Sequence, residues 1–175
     1  MRFITLSKKE MESKYFTISE NHLLISINNP NEETHIHNNR YCHGILKINF
    51  LDIEDIDSNE VYFDRDIARQ ILDFVDKNCA KVTTIVVHCG AGVSRSVAVA
   101  SALSKIINHR DDNIFSYGIP NMLVYTTILD EYFSNKNLDT DWHNIWYLRN
   151  LSLRNLLNTV VYKISEYKQR KRKEK

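Results

Sequence analysis

The sequence predicts an α/β fold with a small, mostly parallel central sheet of four to five strands flanked by helices. Three observations carry that expectation. Residues 82–88, VTTIVVH, form an apolar, β-branched run of the kind found in strands covered on both faces. The run passes directly into a turn with two glycines and then into an alanine- and valine-rich segment with helical spacing. Strands also alternate with helices along the chain, which is the pattern of a parallel sheet with helices on its faces.

Taken in order, 2–6 reads as a short strand. Ser7 with Glu10 three residues later forms a capping box that opens a short helix. A second strand spans 22–28 and closes at Asn29-Pro30, and the polar segment 29–43 reads as a loop. A third strand covers 45–50, followed by the acidic loop LDIEDIDSNE. Phe63, Ile67, Ile71 and Val75 recur every four residues, making one face of an amphipathic helix. The strand 82–88 follows, then helices over 93–107, 121–133 and 141–167, with Val97, Ala100, Leu103 and Ile107 in phase on the first of these.

Size and charge bound the rest. The 175 residues suit one domain, expected over 1–167 with a frayed basic tail at 168–175. The chain is 43% hydrophobic and 26% charged, enough to bury a core without metal or disulfides. Net charge is +1, so nothing global calls for nucleic acid or an anionic membrane. The final KQRKRKEK carries six positive charges and one negative, and the other 167 residues sum to −4. Cys42, Cys79 and Cys89 are odd in number, and MRFITLSKKE lacks a long apolar core. Both features point to a reducing cytoplasm.

The chemistry concentrates in 88–96, HCGAGVSRS. The loop lies beyond the carboxyl end of a central strand, where ligands bind in parallel sheets. The backbone N–H groups of Gly90, Ala91, Gly92, Val93 and Ser94, with the following helix N-terminus, are suited to cradle a tetrahedral oxyanion. Gly90 and Gly92 permit φ > 0 and close backbone approach. Cys89 sits at the base of the cradle, where the same donors favour the sulfur anion. Arg95 can bring a planar two-point fork to the rim, a geometry lysine does not copy. Ser96 can donate to the sulfur as it departs.

His88-Cys89-x-x-Gly92-x-x-Arg95-Ser96 resembles the signature loop of the cysteine-based protein tyrosine and dual-specificity phosphatases. AGVSRS is similar to the dual-specificity branch, while LLISINNP, the segment 50–52 and PNMLVY are similar to compact microbial members. The likeness runs from about the second strand to Tyr125. Rhodanese-type sulfurtransferases have one residue fewer between cysteine and arginine. Low-molecular-weight phosphatases and arsenate reductases carry their signature near the N-terminus, whereas this one is mid-chain.

The resemblance implies hydrolysis of phosphate monoesters through a phosphocysteine, without a cofactor. His88 would order the loop. It also implies an aspartate general acid on an upstream loop. Asp52 matches the position in the compact microbial members. Asp57 matches the spacing of animal-type dual-specificity enzymes, and Asp55 is a further alternative. The same loop is not an EF-hand, because Glu60 occupies the obligatory glycine position. The loop interior GAGVS contains no lysine, which favours a phosphorylated protein as substrate over a highly charged head group. Two other readings stay open: a pseudophosphatase that binds phosphate as an interaction module, and a phosphatase for RNA 5′ ends or small phosphorylated metabolites.

Other constellations are weaker. His35, His37, Cys42 and His43 match no zinc spacing, so no metal is expected. Asn39-Arg40-Tyr41 is similar to a phosphotyrosine-recognition loop but is misplaced relative to the signature. Asn121 after Pro120 is expected to cap a helix. Trp142, Ile145, Trp146, Leu148, Leu151, Leu156 and Val160 give a long helix an apolar face expected to pack on the domain. Neither membrane nor nucleic-acid partners are expected. Cys42 and Cys79 are the candidate resolving thiols for Cys89.

Overall fold

The computed structural model describes residues 1–135, apart from Phe16, Asn38, residues 55–60 and Tyr117. The chain divides into two units, Met1–Asn135 and Lys136–Lys175. The second unit, with the helix expected at 141–167 and the basic tail, lies outside the described residues. So do Asp55 and Asp57.

Four parallel strands form the sheet: β1 (Arg2–Ser7), β2 (His22–Asn28), β3 (Cys42–Asn49) and β4 (Thr84–Cys89), in the order β1-β4-β2-β3. β2 and β4 are buried along their whole length, as the apolar runs LLISIN and TIVVH anticipated. Strand alternation separates two apolar faces. Leu23, Ile25, Ile27, Ile85 and Val87 occupy one face, and all are fully buried. α2 (Arg65–Asn78) and α3 (Arg95–Asn108) pack on the sheet, and α5 (Met122–Asn135) packs on both of them. Leu24 and Val86 occupy the other face, where Leu6, Met11 of α1 (Lys8–Met11) and Ile18 close a smaller cluster.

The local signals explain most helix starts. Ser7 accepts from the Glu10 amide while Glu10 reaches back to the Ser7 amide, the reciprocal box expected for α1. Asp64 caps α2 through the Ile67 amide at 2.9 Å. Asn121 caps α5 through the Val124 amide at 3.0 Å.

Several boundaries differ from the sequence expectation. β3 begins at Cys42 rather than at 45, because the backbone pairing of His22 with Cys42 extends the ladder into the polar segment. α2 starts after Phe63, which packs edge-on against Phe50 with ring centroids 4.9 Å apart, and buries Ala68, Ile71 and Val75. β4 starts at Thr84 and includes Cys89. α3 starts at Arg95 and is buried on all sides through Ser104, so a single in-phase stripe understates its burial. A short helix, α4 (Asp112–Phe115), had no sequence signal. Among the described residues, no helix is long and apolar enough to cross a membrane.

Candidate active site

β4 delivers Cys89 to the carboxyl edge of the sheet, and α3 starts six residues later at Arg95. The intervening loop is held from both sides. The Lys8 amide donates to the Gly90 carbonyl at 3.1 Å, and the Ile119 amide donates to the Val93 carbonyl at 2.9 Å. Gly92 has φ +78°, and a Cβ there would lie 2.6 Å from the Ser7 nitrogen and 2.7 Å from the Leu6 carbonyl carbon. Only glycine fits, for both reasons. Gly90 differs from expectation: it is absent from the positive-φ glycines, and a Cβ would meet only the Arg95 Nη2, at 3.5 Å. Gly118 is a position the sequence did not flag. A Cβ there would lie 2.2 Å from the Val93 carbonyl oxygen, so this backbone packs flat against the loop.

The Cys89 sulfur is buried at the floor. It accepts from the Gly92 amide at 3.3 Å and lies 3.2 Å from the Ser96 hydroxyl. Ser94, the N-cap of α3, makes no side-chain cap, so its hydroxyl leaves the first helical amides uncovered. It donates instead to Asp52 Oδ1 at 2.8 Å.

Arg95 is 5% exposed, yet its guanidinium is only partly engaged. Nη1 donates to the carbonyls of Phe50 at 2.5 Å and Asn28 at 3.4 Å. Nε is buried without a hydrogen-bond partner among the described residues, 3.9 Å from Asp52 Oδ2, and Nη2 faces Gly90. The carbonyl anchors fix the plane of the fork, with Nη2 toward Gly90 and Nε toward Asp52. A buried, unengaged donor of this kind is unusual away from a binding site.

Asp52, named from the sequence, therefore does meet the signature loop. Its Oδ1 accepts from both Ser94 and Asn121 Nδ2, at 2.8 and 2.9 Å. Oδ1 thus accepts two hydrogen bonds, and Oδ2 is the oxygen that faces Arg95. Sequence reasoning gave Asn121 only its capping role. It also donates to the Ile53 carbonyl at 3.2 Å, so one side chain ties the acidic loop to α5.

Beneath the loop runs a buried polar chain. His88 Nε2 lies 2.7 Å from Ser26 Oγ, Asn28 Nδ2 donates to Ser26, and Thr34 donates to Asn28 Oδ1 at 2.5 Å. Burial pulls the His88 pKa down from 6.5 to about 4, the Cys89 backbone opposing. The imidazole is therefore neutral at pH 7, buried against Ser26. Ser26, Asn28 and Thr34 were not singled out in advance. Their only sequence signal is that polar residues interrupt an otherwise apolar strand at Ser26 and Asn28.

The remaining candidates stay apart from this centre. His35 and His37 stack edge-on at 4.7 Å, and His37 Nε2 contacts the Glu12 carbonyl. Among the described residues no three metal-ligating side chains converge. Arg40 stacks on Tyr41, in a separate groove of about 1350 Å³ over the strand ends that begin with His22 and Cys42. Cys42 is level with Thr84 through His22, five residues along β4 from Cys89. At about 3.3 Å per residue that is roughly 16 Å, too far for a disulfide. Cys79 precedes β4, also at the far end from Cys89. Of the two candidate resolving thiols, Cys42 is thus out of disulfide reach of Cys89 in this fold.

No family model matches the sequence, and no curated protein matches it. Solved structures do. The chain is similar to the human tyrosine phosphatase-like serine/threonine/tyrosine-interacting protein, at 21% identity and a TM-score of 0.45, covering 64% of this chain and 76% of that one. It is similar to PTPMT1, at 14% identity and 0.46, covering 76% and 90%. It is similar to Tk-PTP in the active form, at 12% identity and 0.41, covering 87% and 90%.

Proposed function

We propose that this protein is a cysteine-dependent phosphatase of the protein tyrosine and dual-specificity type, acting on phosphate monoesters, with phosphorylated proteins as its substrates. One observation carries the reading. A buried sulfur receives a loop amide, the Arg95 guanidinium reaches the same loop at Gly90, and a carboxyl oxygen of Asp52 faces that guanidinium.

The loop amides and the Nε and Nη2 of Arg95 bind the three non-bridging phosphate oxygens and stabilise the charge that spreads over them. The Cys89 sulfur attacks phosphorus as the bond to the leaving oxygen breaks, and the proton on Asp52 Oδ2 passes to that oxygen. Water then attacks the phosphocysteine, Asp52 takes its proton, and the phosphorus–sulfur bond breaks to release phosphate. Ser96 Oγ, 3.2 Å from the resting sulfur, turns its hydroxyl proton toward that sulfur as it departs with negative charge.

The test is turnover of p-nitrophenyl phosphate. Wild-type protein should hydrolyse it, vanadate should block it, Cys89→Ser should abolish it, and rapid acid quench should trap one phosphoryl group on Cys89. Phosphate or vanadate binding without turnover would refute the enzyme and favour a binding module. Turnover that survives Cys89→Ser would refute the mechanism.

A further inference from the structure

We propose that Glu54 is a positioning residue that fastens the acidic loop to the N-terminus of α5 and so holds Asp52 over the phosphate loop. The inference rests on the reading of Asp52 as the general acid.

Three consecutive residues of that loop each make a bond to residues 121 and 122. Asp52 Oδ1 accepts from Asn121 Nδ2 at 2.9 Å, the Ile53 carbonyl accepts from the same nitrogen at 3.2 Å, and Glu54 Oε1 accepts from the Met122 amide at 2.7 Å. Asn121 is already held in place by its own cap to Val124. The Met122 amide is one of the orphan donors in the first turn of α5, and a carboxylate there also meets the positive end of the helix dipole. Glu54 thus supplies an anchor two residues from the acid, in addition to the bonds that Ser94 and Asn121 make to Asp52 itself. Because α5 packs on α3, whose first residue is Arg95, the acid and the guanidinium are referred to the same rigid helix pair. A reacting proton must be placed within hydrogen-bond reach of the leaving oxygen, so a small swing of this loop acts on proton transfer and leaves the phosphate cradle alone.

The experiment compares phenyl phosphate with p-nitrophenyl phosphate, because the poorer leaving group needs the proton more. Asp52→Asn should slow phenyl phosphate far more than p-nitrophenyl phosphate. Glu54→Ala should lower kcat on phenyl phosphate roughly tenfold, the worth of one hydrogen bond to a charged group, with KM unchanged. On p-nitrophenyl phosphate its effect should stay within about twofold. Glu54→Gln keeps an oxygen for the Met122 amide and should restore phenyl phosphate turnover. In the Asp52→Asn background, Glu54→Ala should add nothing further. An equal loss on both substrates, or an undiminished loss in the Asp52→Asn background, would overturn the positioning role. If Asp52→Asn itself shows no dependence on the leaving group, the acid assignment falls first, in a variant whose Glu54 is intact.

Discussion

Gly92→Ala is the sharpest perturbation of the loop between β4 and α3. The residue has φ +78°, which costs a non-glycine residue roughly 1–2 kcal/mol. Its Cβ would stand 2.6 Å from the Ser7 nitrogen and 2.7 Å from the Leu6 carbonyl carbon. Those are main-chain atoms of β1, itself paired with β4, so neither can swing aside as a side chain could. Reaching an ordinary 3.4 Å contact requires the loop to retreat by roughly 0.8 Å, a gap that forfeits much of the local packing. The retreat also pulls on the Lys8–Gly90 bond at 3.1 Å and on the Gly92 amide, 3.3 Å from the sulfur. Together the expected destabilisation is about 2–4 kcal/mol. Loss of one oriented anion donor should lower kcat/KM by about 10²-fold. Gly90→Ala is the matched control. It meets only a side-chain nitrogen at 3.5 Å and should change stability by less than about 1 kcal/mol. Urea unfolding midpoints and p-nitrophenyl phosphate kinetics on both variants decide the matter. A Gly92→Ala protein as stable and active as Gly90→Ala would refute the account of the loop.

Three further outcomes follow from the geometry. His88 is held neutral with a pKa of about 4 against 6.5 when unfolded, so its contribution is complete above pH 6.5 and is lost as pH falls toward 4. The full loss is about 3 kcal/mol at 1.36 kcal/mol per unit. Urea titrations at pH 7 and 4.5 should show a shallower acid loss in His88→Gln than in wild type, and parallel curves would sink the assignment. Arg95→Lys replaces a fork anchored on the Phe50 and Asn28 carbonyls with a single nitrogen, which cannot hold the anchor and the anion together. It should lower kcat/KM by about 10²–10³-fold, and a lysine variant with more than about a tenth of wild-type activity would contradict the two-donor argument. Finally, replacing Cys42 and Cys79 by serine should leave the rate of peroxide inactivation unchanged, since neither thiol lies near Cys89. A disulfide between Cys89 and either residue, found by peptide mapping of the folded protein, would disprove this.

Much of the site was legible because its parts are close in sequence. A β-branched run, a cysteine, a glycine with no alternative and an arginine six residues on form one strand–turn–helix unit, and the unit carries its own geometry. The capping box of Ser7 with Glu10 was equally self-contained. Asp52 was one of three acidic candidates from the sequence, and its contact with Ser94 and Arg95 is a meeting of segments more than forty positions apart. The paired roles of Gly90 and Gly92 could not be separated from sequence either, since the difference lies in what faces each α-carbon.

The sequence by itself determined the alternation of elements, the buried central strands and the chemical identity of the loop, because hydrophobic period, capping and turn chemistry act over a few residues. Only the tertiary structure decided that Gly92 abuts β1, that Gly118 seats the loop, that Asn121 and Glu54 hold the acidic segment, and that Cys42 stands at the wrong end of the sheet. Those outcomes depend on which strand edges and helix ends meet across the fold, and a hydrogen-bond donor in a linear chain carries no mark of the distant acceptor it will find.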